Sequence, residues 1–460
     1  SAYLGFTPSS AGNRRTWTWS SWVKLSNLGT AKTLFGSGTA SSNDNTLDHT
    51  DGSIFYFYDR VAAKLFLTDA VYRDPSAWYN VVFVADTTNS TAGDRLRLFV
   101  NGVRQDGASG SDYPDQNTDL GINNNVTHFI GARKRTNIEN FYDGYLAETC
   151  LIDGTALAPS SFGETKNDIW IPKDTSGLTF GDQGWRLQFK QTGTGTASST
   201  TIGADTSGND NHWTSNSLVA SDVVPDSPTN NFGTLNSLAR TALNSRTLSE
   251  GNLKYQATGD DVMLGNFGIS SGKHYFEIYV NDIEGTNNLM GIALASSRNF
   301  DNSVHYRSGS GEIVDALADS TTQTGITNAA NGNIVALAVD LDGGSVQFKL
   351  NNSNLGNAVS LQSGTYIAII GNGNSSISGA KIFTFNFGQD SAFAGAATAQ
   401  NNADGNGIGD FYYAPPSGFL AMCTSNMTAP VATIDPAEGG SPQDYFNTVL
   451  YTGNNASDRG

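Results

Sequence analysis

A chain of 460 residues is too long for one hydrophobic core, so two to four domains are expected. Its 43 acidic and 26 basic residues give a formal charge of −17, which leaves no basic face for a phosphate backbone and excludes nucleic acid as a partner. Cys150 and Cys423, the only cysteines, lie in different segments and exclude a disulfide framework or a four-ligand cysteine zinc centre within one chain.

With 15% charged residues, 38% hydrophobic residues and 51 glycines, the apolar residues fall in strand-length runs between turn signals, the pattern of an all-β protein. No run is long enough to cross a membrane as a helix. Ser1 reads as the first residue after loss of an initiator Met, which a removed leader would mimic. In chain order, residues 17–23 alternate and place Trp17 and Trp19 on one face. Short strands follow at 33–36, 54–58 and 64–67. Residues 78–86 then lead through a loop to an alternating strand at 95–100, closed by Asn101-Gly102. Such an ending signals a hairpin, because its turn needs positive φ. Residues 128–131 and 141–152 complete a first unit, 1–165.

The opening W-x-W strand, "WYNVVFVAD" at 78–86, "LFVNG" at 98–102 and the closing "YDGYLAE…LIDGTAL" occur in that order. In these motifs the unit resembles the concanavalin A-like lectin/glucanase superfamily, in its laminin-G or pentraxin-like form. The resemblance implies a jelly roll whose curved sheet, or the loops above it, binds glycans, sometimes with calcium.

Residues 166–235 read as a linker with short strands. One strand is 185–189, a tight polar turn is 205–213, and Pro225 and Pro228 stiffen a boundary at 225–231. From 236 to 395 the same β grammar returns. Residues 272–280 alternate and 289–295 follow; 334–340 lead through Gly343-Gly344 into 346–350, closed by Asn351-Asn352; 366–370 and 382–388 finish the unit. "GKHYFEIYV", "GIALA", "AVDLDGGSVQFKLN" and a terminal "NFG" give it a resemblance to SPRY domains. That implies a binding module with specificity in the loops at one end and no catalytic centre. The expected fold class is all-β: two jelly-roll β-sandwich domains, a β-rich linker and a C-terminal extension, 396–460. The strand at 445–453 has nothing after it to pair with, so it either adds to a neighbouring sheet or subunit or, the favoured expectation, begins a further domain of a longer natural product.

The five histidines show no i,i+4 pair, and no nucleophile elbow, Walker loop or dinucleotide fingerprint is present. Glucanases of the concanavalin A-like superfamily carry an E-x-D-x-E strand. It is missing here, since Glu139 and Asp143 have the wrong spacing, so a non-enzyme is expected. A sugar site needs an aromatic platform beside polar groups. Tyr56 and Tyr58 share a strand face next to an Asp-rich loop, with Phe55 and Phe57 turned to the core. A second ligand-binding candidate combines Asp301, Tyr306 and Arg307 in one loop. No cofactor is required. Calcium is the ion that Asp44, Asp48 and Asp51 would take, as would loops around Asp205 and Asp404, although Asx turns are the favoured explanation of each such cluster. Arg133-Lys134-Arg135 reads as a solvated loop.

The succession of lectin-like module, linking stretch "DTSGNDNHWTSNSL…PDSPTNNFGTLN" and SPRY-like module is similar to large virion proteins of marine bacteriophages. The resemblance implies a non-enzymatic structural protein, made in the host cytoplasm and displayed on the virion as a tail fibre, appendage or head decoration. Its partners would be other virion proteins, copies of itself in a homo-oligomer, and host-surface glycans, with no nucleic acid and no membrane insertion. Weak sites on such a particle gain through multivalency. The competing readings are a virion-associated polysaccharide depolymerase, a cement protein that binds no glycan, and a cellular adhesin.

Overall fold

The computed structural model describes residues 2–166, 168–239, 246–258, 261–284, 287–297, 299–318, 320–372 and 381–427. Among them are 32 strands, five short 3-10 turns and no α-helix. The strand expected at 445–453 lies outside the described residues.

The first sandwich contains β1 (Tyr3–Phe6), β2 (Thr16–Leu25), β3 (Lys32–Ser37), β4 (Asn45–His49), β5 (Phe55–Asp59) and β6 (Lys64–Leu67). It continues with β7 (Trp78–Asp86), β8 (Leu96–Val100), β9 (Val103–Gln105), β10 (His128–Ile130), β11 (Arg133–Lys134), β12 (Ile138–Glu139) and β13 (Gly144–Asp153). After the small hairpin β14 (Gly163–Lys166) and β15 (Ile169–Pro172) come β16 (Trp185–Leu187) and β17 (Thr214–Asn216). One sheet runs β17-β1-β10-β3-β4-β5-β6 and the facing sheet β16-β13-β2-β7-β8-β9. Trp17, Trp19, Phe35, Phe57, Phe83, Trp185 and Trp213 fill the space between them. The Asn101-Gly102 hairpin is as expected, with φ of 49° and 77°. A side chain at Gly102 would also meet the Trp170 ring, whose nearest carbon lies 2.5 Å from an ideal Cβ.

Residues 166–235, read from sequence as a linker, are woven into this sandwich. β16 extends the six-stranded sheet beside β13, and β17 extends the seven-stranded sheet beside β1. The stretch before β16 also covers the back of the six-stranded sheet, where Phe162 and Phe180 pack on Val82, Val84 and Ile152. Coverage on both faces explains why β7 is continuously apolar from Val81 to Ala85 instead of alternating.

The second sandwich begins with β18 (Arg246–Ser249), β19 (Lys254–Ala257), β20 (Val262–Leu264), β21 (Lys273–Asp282) and β22 (Asn287–Leu294). Then come β23 (Ser303–Gly309), β24 (Glu312–Asp315), β25 (Ser320–Thr324), β26 (Ile334–Asp340) and β27 (Ser345–Leu350). The last strands are β28 (Ser353–Asn354), β29 (Val359–Ser360), β30 (Tyr366–Asn372), β31 (Lys381–Asn386) and β32 (Leu420–Ala421). Its sheets run β18-β19-β31-β21-β26-β27-β28 and β20-β30-β22-β23-β24-β25, with β29 added beside β27 and β32 parallel to β21. Phe276, Ile278, Leu337, Phe348, Phe383 and Phe385 lie in the core between them.

Two buried polar knots fasten the chain around these sheets. Lys24 on β2 is fully buried and donates to Asp226 Oδ2 (2.7 Å), Asn231 Oδ1 (2.6 Å) and the Phe232 carbonyl (3.0 Å). Burial pushes the Lys24 ammonium down and the Asp226 carboxyl up from their ordinary values. The second knot is Glu277 on β21. It accepts from Tyr412 N (2.9 Å), Tyr413 N (2.8 Å), Asn386 Nδ2 (3.1 Å) and Tyr275 Oη (3.2 Å), pinning the chain after β31 to the sheet.

Candidate functional site

Strand alternation turns Phe55 and Phe57 of β5 into the core and leaves Tyr56 and Tyr58 half-buried on the outer face of the seven-stranded sheet. The two tyrosine rings lie nearly parallel, 15° apart, with centroids 6.1 Å from one another. Register places Asp48 opposite Tyr56 and Thr46 opposite Tyr58 on β4, and Leu67 and Leu65 opposite them on β6. Direct antiparallel partners share a face, so this is one continuous patch.

Three arginines edge the patch. Arg60 follows β5, holds its guanidinium 4.7 Å from the Tyr58 ring centre and pairs through Nε with Asp44 Oδ1 at 3.1 Å. The β11–β12 hairpin reaches over from the other side. Its Arg135 sits 3.4 Å from Asp44 Oδ2, and Arg133 sits 3.5 Å from Asp48 Oδ2 and 3.1 Å from Glu139 Oε1. Residues 133–135 are thus half-buried parts of a hairpin, not a solvated loop. Nothing in their spacing foretold this, because the carboxylates that order them sit almost ninety positions away across the sheet. Burial, ahead of all other effects, raises the Asp48 carboxyl to about 6. It also raises the Tyr56 hydroxyl, with the Asp48 charge adding to the shift.

Asp44, Asp48 and Asp51 do not converge. Asp44 and Asp48 are 2% and 3% exposed and face guanidinium groups, while Asp51 is exposed in the next turn and accepts from Gly52 N. Among the described residues no group of three His, Cys, Asp or Glu side chains is placed to hold a metal. The residues therefore do not fit the calcium ion considered from sequence, since their negative charge is already matched by arginine. Asp205 and Asp404 close turns. Asp205 accepts from the Arg186, Ser207 and Asn211 amides, and Asp404 accepts from the Asn406, Ile408 and Ala421 amides.

In the second sandwich Asp301, Tyr306 and Arg307 are held apart. Residues 303–309 form a strand instead of a loop, so successive side chains take opposite faces. Tyr306 is 0% exposed inside the core, donates to the Thr327 carbonyl at 2.8 Å and accepts from Ala329 N. Arg307 points out and pairs with Glu312 at 3.1 Å, and Asp301 is exposed on the 3-10 turn before the strand. The histidines His49, His128, His274 and His305 are buried; desolvation lowers His128 to about 4 and His305 to about 3.

This all-β arrangement, with an aromatic pair on the outer face of one sheet, is that of a β-sandwich. Residues 1–160 match the family model of the concanavalin A-like lectin/glucanases superfamily, laminin-G type. That fold serves carbohydrate or protein binding. No curated protein sequence matches the chain. Solved structures similar to it include the SPRY domain of human HERC1, at 14% identity and a TM-score of 0.27, covering 30% of this chain and 91% of that one. The heptameric SAP-like pentraxin from Limulus polyphemus is similar at 16% identity and a TM-score of 0.26, covering 34% of this chain and 71% of that one. The TRIM65 PSpry domain is similar at 11% identity and a TM-score of 0.27, covering 34% and 91%.

Proposed function

We propose that this chain is a non-enzymatic binding protein that holds host-surface glycans on the outer face of its seven-stranded sheet, and that it is displayed on a bacteriophage particle. The observation that carries the binding reading is the stacked Tyr56–Tyr58 pair, rigid, half-buried and edged by arginines already ordered by Asp44 and Asp48. Tyrosine offers a large amphipathic surface at low conformational cost, and polar groups held in place beforehand lose little freedom when a ligand arrives. The virion setting is supported by the resemblance of the linking stretch at 205–236 to phage structural proteins. Repetition of the chain on a particle would turn a weak single site into firm attachment.

A glycan array probed with the protein and with Tyr58→Ala tests the first part. We expect retention of a defined glycan set by the parent and a roughly tenfold or greater loss in the variant, the size of a hot-spot truncation. Equal retention by both would move the site away from this face. Immunogold microscopy of particles from a lysate containing the protein tests the second part. Label on tails or fibres is the expected result, and unlabelled particles would refute the virion setting.

A further inference from the structure

The same outer face has a concavity at its other edge, over β17, β1 and β10. It holds about 310 Å³, at the lower end of what small-ligand sites occupy. Its geometry follows from register. Gly5 lies opposite Thr214 on one side and Phe129 on the other, and Tyr3 lies opposite Asn216. Phe129 is in turn opposite Gly36, Gly36 opposite Thr46 and Thr46 opposite Tyr58. A single row of cross-strand partners therefore runs from this concavity to the tyrosine platform; midway along it the Ala132 carbonyl and Arg133 Cβ stand over Gly36, 3.2 and 3.4 Å from an ideal Cβ, so a ligand that reaches both ends passes over the base of the β11–β12 hairpin. At about 4.8 Å per strand, the four steps from β1 to β5 span roughly 19 Å.

The lining differs in chemistry from the platform. The Tyr3 and Phe129 rings, 5.9 Å apart, form the apolar side, and Gly5 keeps the floor open. A Cβ there would meet only Asn216 Nδ2 at 3.7 Å and Tyr3 Cε2 at 3.8 Å, ordinary contact distances. The polar side is made of Thr127, Asn216 and His212, and no Lys, Arg, Asp or Glu lines the concavity. His212 Nδ1 accepts from Asp205 N at 2.9 Å, so in the neutral ring the proton sits on Nε2. Its distance of 3.7 Å to Asp210 Oδ1 is beyond a hydrogen bond and leaves that donor for another acceptor. Aromatic carbon on one side, with hydroxyl, amide and imidazole groups on the other, matches the apolar face and hydroxyl rim of an uncharged sugar ring.

We propose that this concavity is a second glycan subsite, specific for an uncharged pyranose residue, and that with the Tyr56–Tyr58 platform it forms two stations of one oligosaccharide track across the sheet. The proposal rests on the glycan reading of that platform and adds to it the length of the ligand and the nature of its far end.

The test uses the whole chain and neutral laminari-, cello- and manno-oligosaccharides of two to six residues, titrated by calorimetry. Expected is a series whose affinity rises with length, by tenfold or more once both stations are reached. Gly5→Val, which fills the floor without removing a contact, should abolish the gain from length and leave the binding of short members unchanged. Tyr3→Ala should do the same by removing the ring, and Tyr58→Ala should weaken every member. If Gly5→Val and Tyr3→Ala bind the longest oligomers as the parent does, while Tyr58→Ala fails, the second subsite is overturned and the platform stands. If the parent binds none of these sugars, the neutral track is overturned; retention of other glycans on the array then leaves the platform standing, and no retention at all overturns both.

Discussion

At the scale of single residues, the electrostatics of the platform are set by burial. Asp48 is 3% exposed, and desolvation holds its carboxyl near 6 against an unperturbed 3.8, even with Arg133 at 3.5 Å. A carboxyl raised on folding stabilises the protein below its unfolded value, and that contribution is lost as pH climbs through the folded one. The shift corresponds to about 3 kcal/mol. Asp48→Asn should therefore match the parent in stability near pH 4 and gain on it steadily up to about pH 6.5, as read from urea denaturation at several pH values. A constant offset between the two would show that Asp48 does not titrate in this range. Chelation should not change stability at any of these pH values, since arginine already occupies the place a cation would take; a fall in melting temperature with EDTA would contradict this.

At the scale of elements, the segment after β31 is held by one carboxylate. Glu277 takes four donors, two of them the backbone amides of Tyr412 and Tyr413, beneath a small cluster that includes Tyr275, Phe411 and Ala421. Leaving buried donors unpaired costs about 1–3 kcal/mol each, and relaxation recovers part of it. Glu277→Ala should destabilise the second sandwich by about 4 kcal/mol and expose residues 402–423 to limited proteolysis. Unchanged protection of that segment would mean its apolar contacts suffice without the carboxylate. The β11–β12 hairpin is a second example of an element whose role is not local. Its two-residue strands have little stability of their own, and they are ordered by Arg133 and Arg135 reaching Asp48 and Asp44.

At the scale of the whole molecule, the two sandwiches are joined through contacts that cross the first sandwich's surface. Beside the Lys24–Asp226 pair, Trp78 Nε1 donates to Asp226 Oδ1 at 3.1 Å, Tyr145 Oη donates to the Gly251 carbonyl at 3.0 Å, and Asn27 Nδ2 donates to the Leu248 carbonyl at 2.9 Å. Removing one partner of a buried ion pair costs about 3–5 kcal/mol, because the other charge is left without compensation. Lys24→Met should split a single calorimetric transition into two, and Lys24→Met with Asp226→Asn should restore much of the loss. A variant that still melts in one step would place the coupling in the remaining hydrogen bonds.

Strand positions, hairpin turns and the two-sandwich class were legible in the amino-acid sequence, because alternation, Asn-Gly dipeptides and apolar runs act over a few residues. So was the outward setting of Tyr56 and Tyr58, which needs only the two-residue period of β5. Tyr306 was misplaced for a local reason as well. Residues 301–307 read as a loop, whereas those from Ser303 onward belong to a strand that sends that ring into the core. Tertiary structure alone decided the rest. It drew the 166–235 stretch into both sheets through β16 and β17, set arginines on Asp44 and Asp48, and brought Tyr3, Phe129 and His212 together around one concavity. Those residues are far apart in the chain, and they meet because strand order and register, not spacing in sequence, determine which side chains share a face.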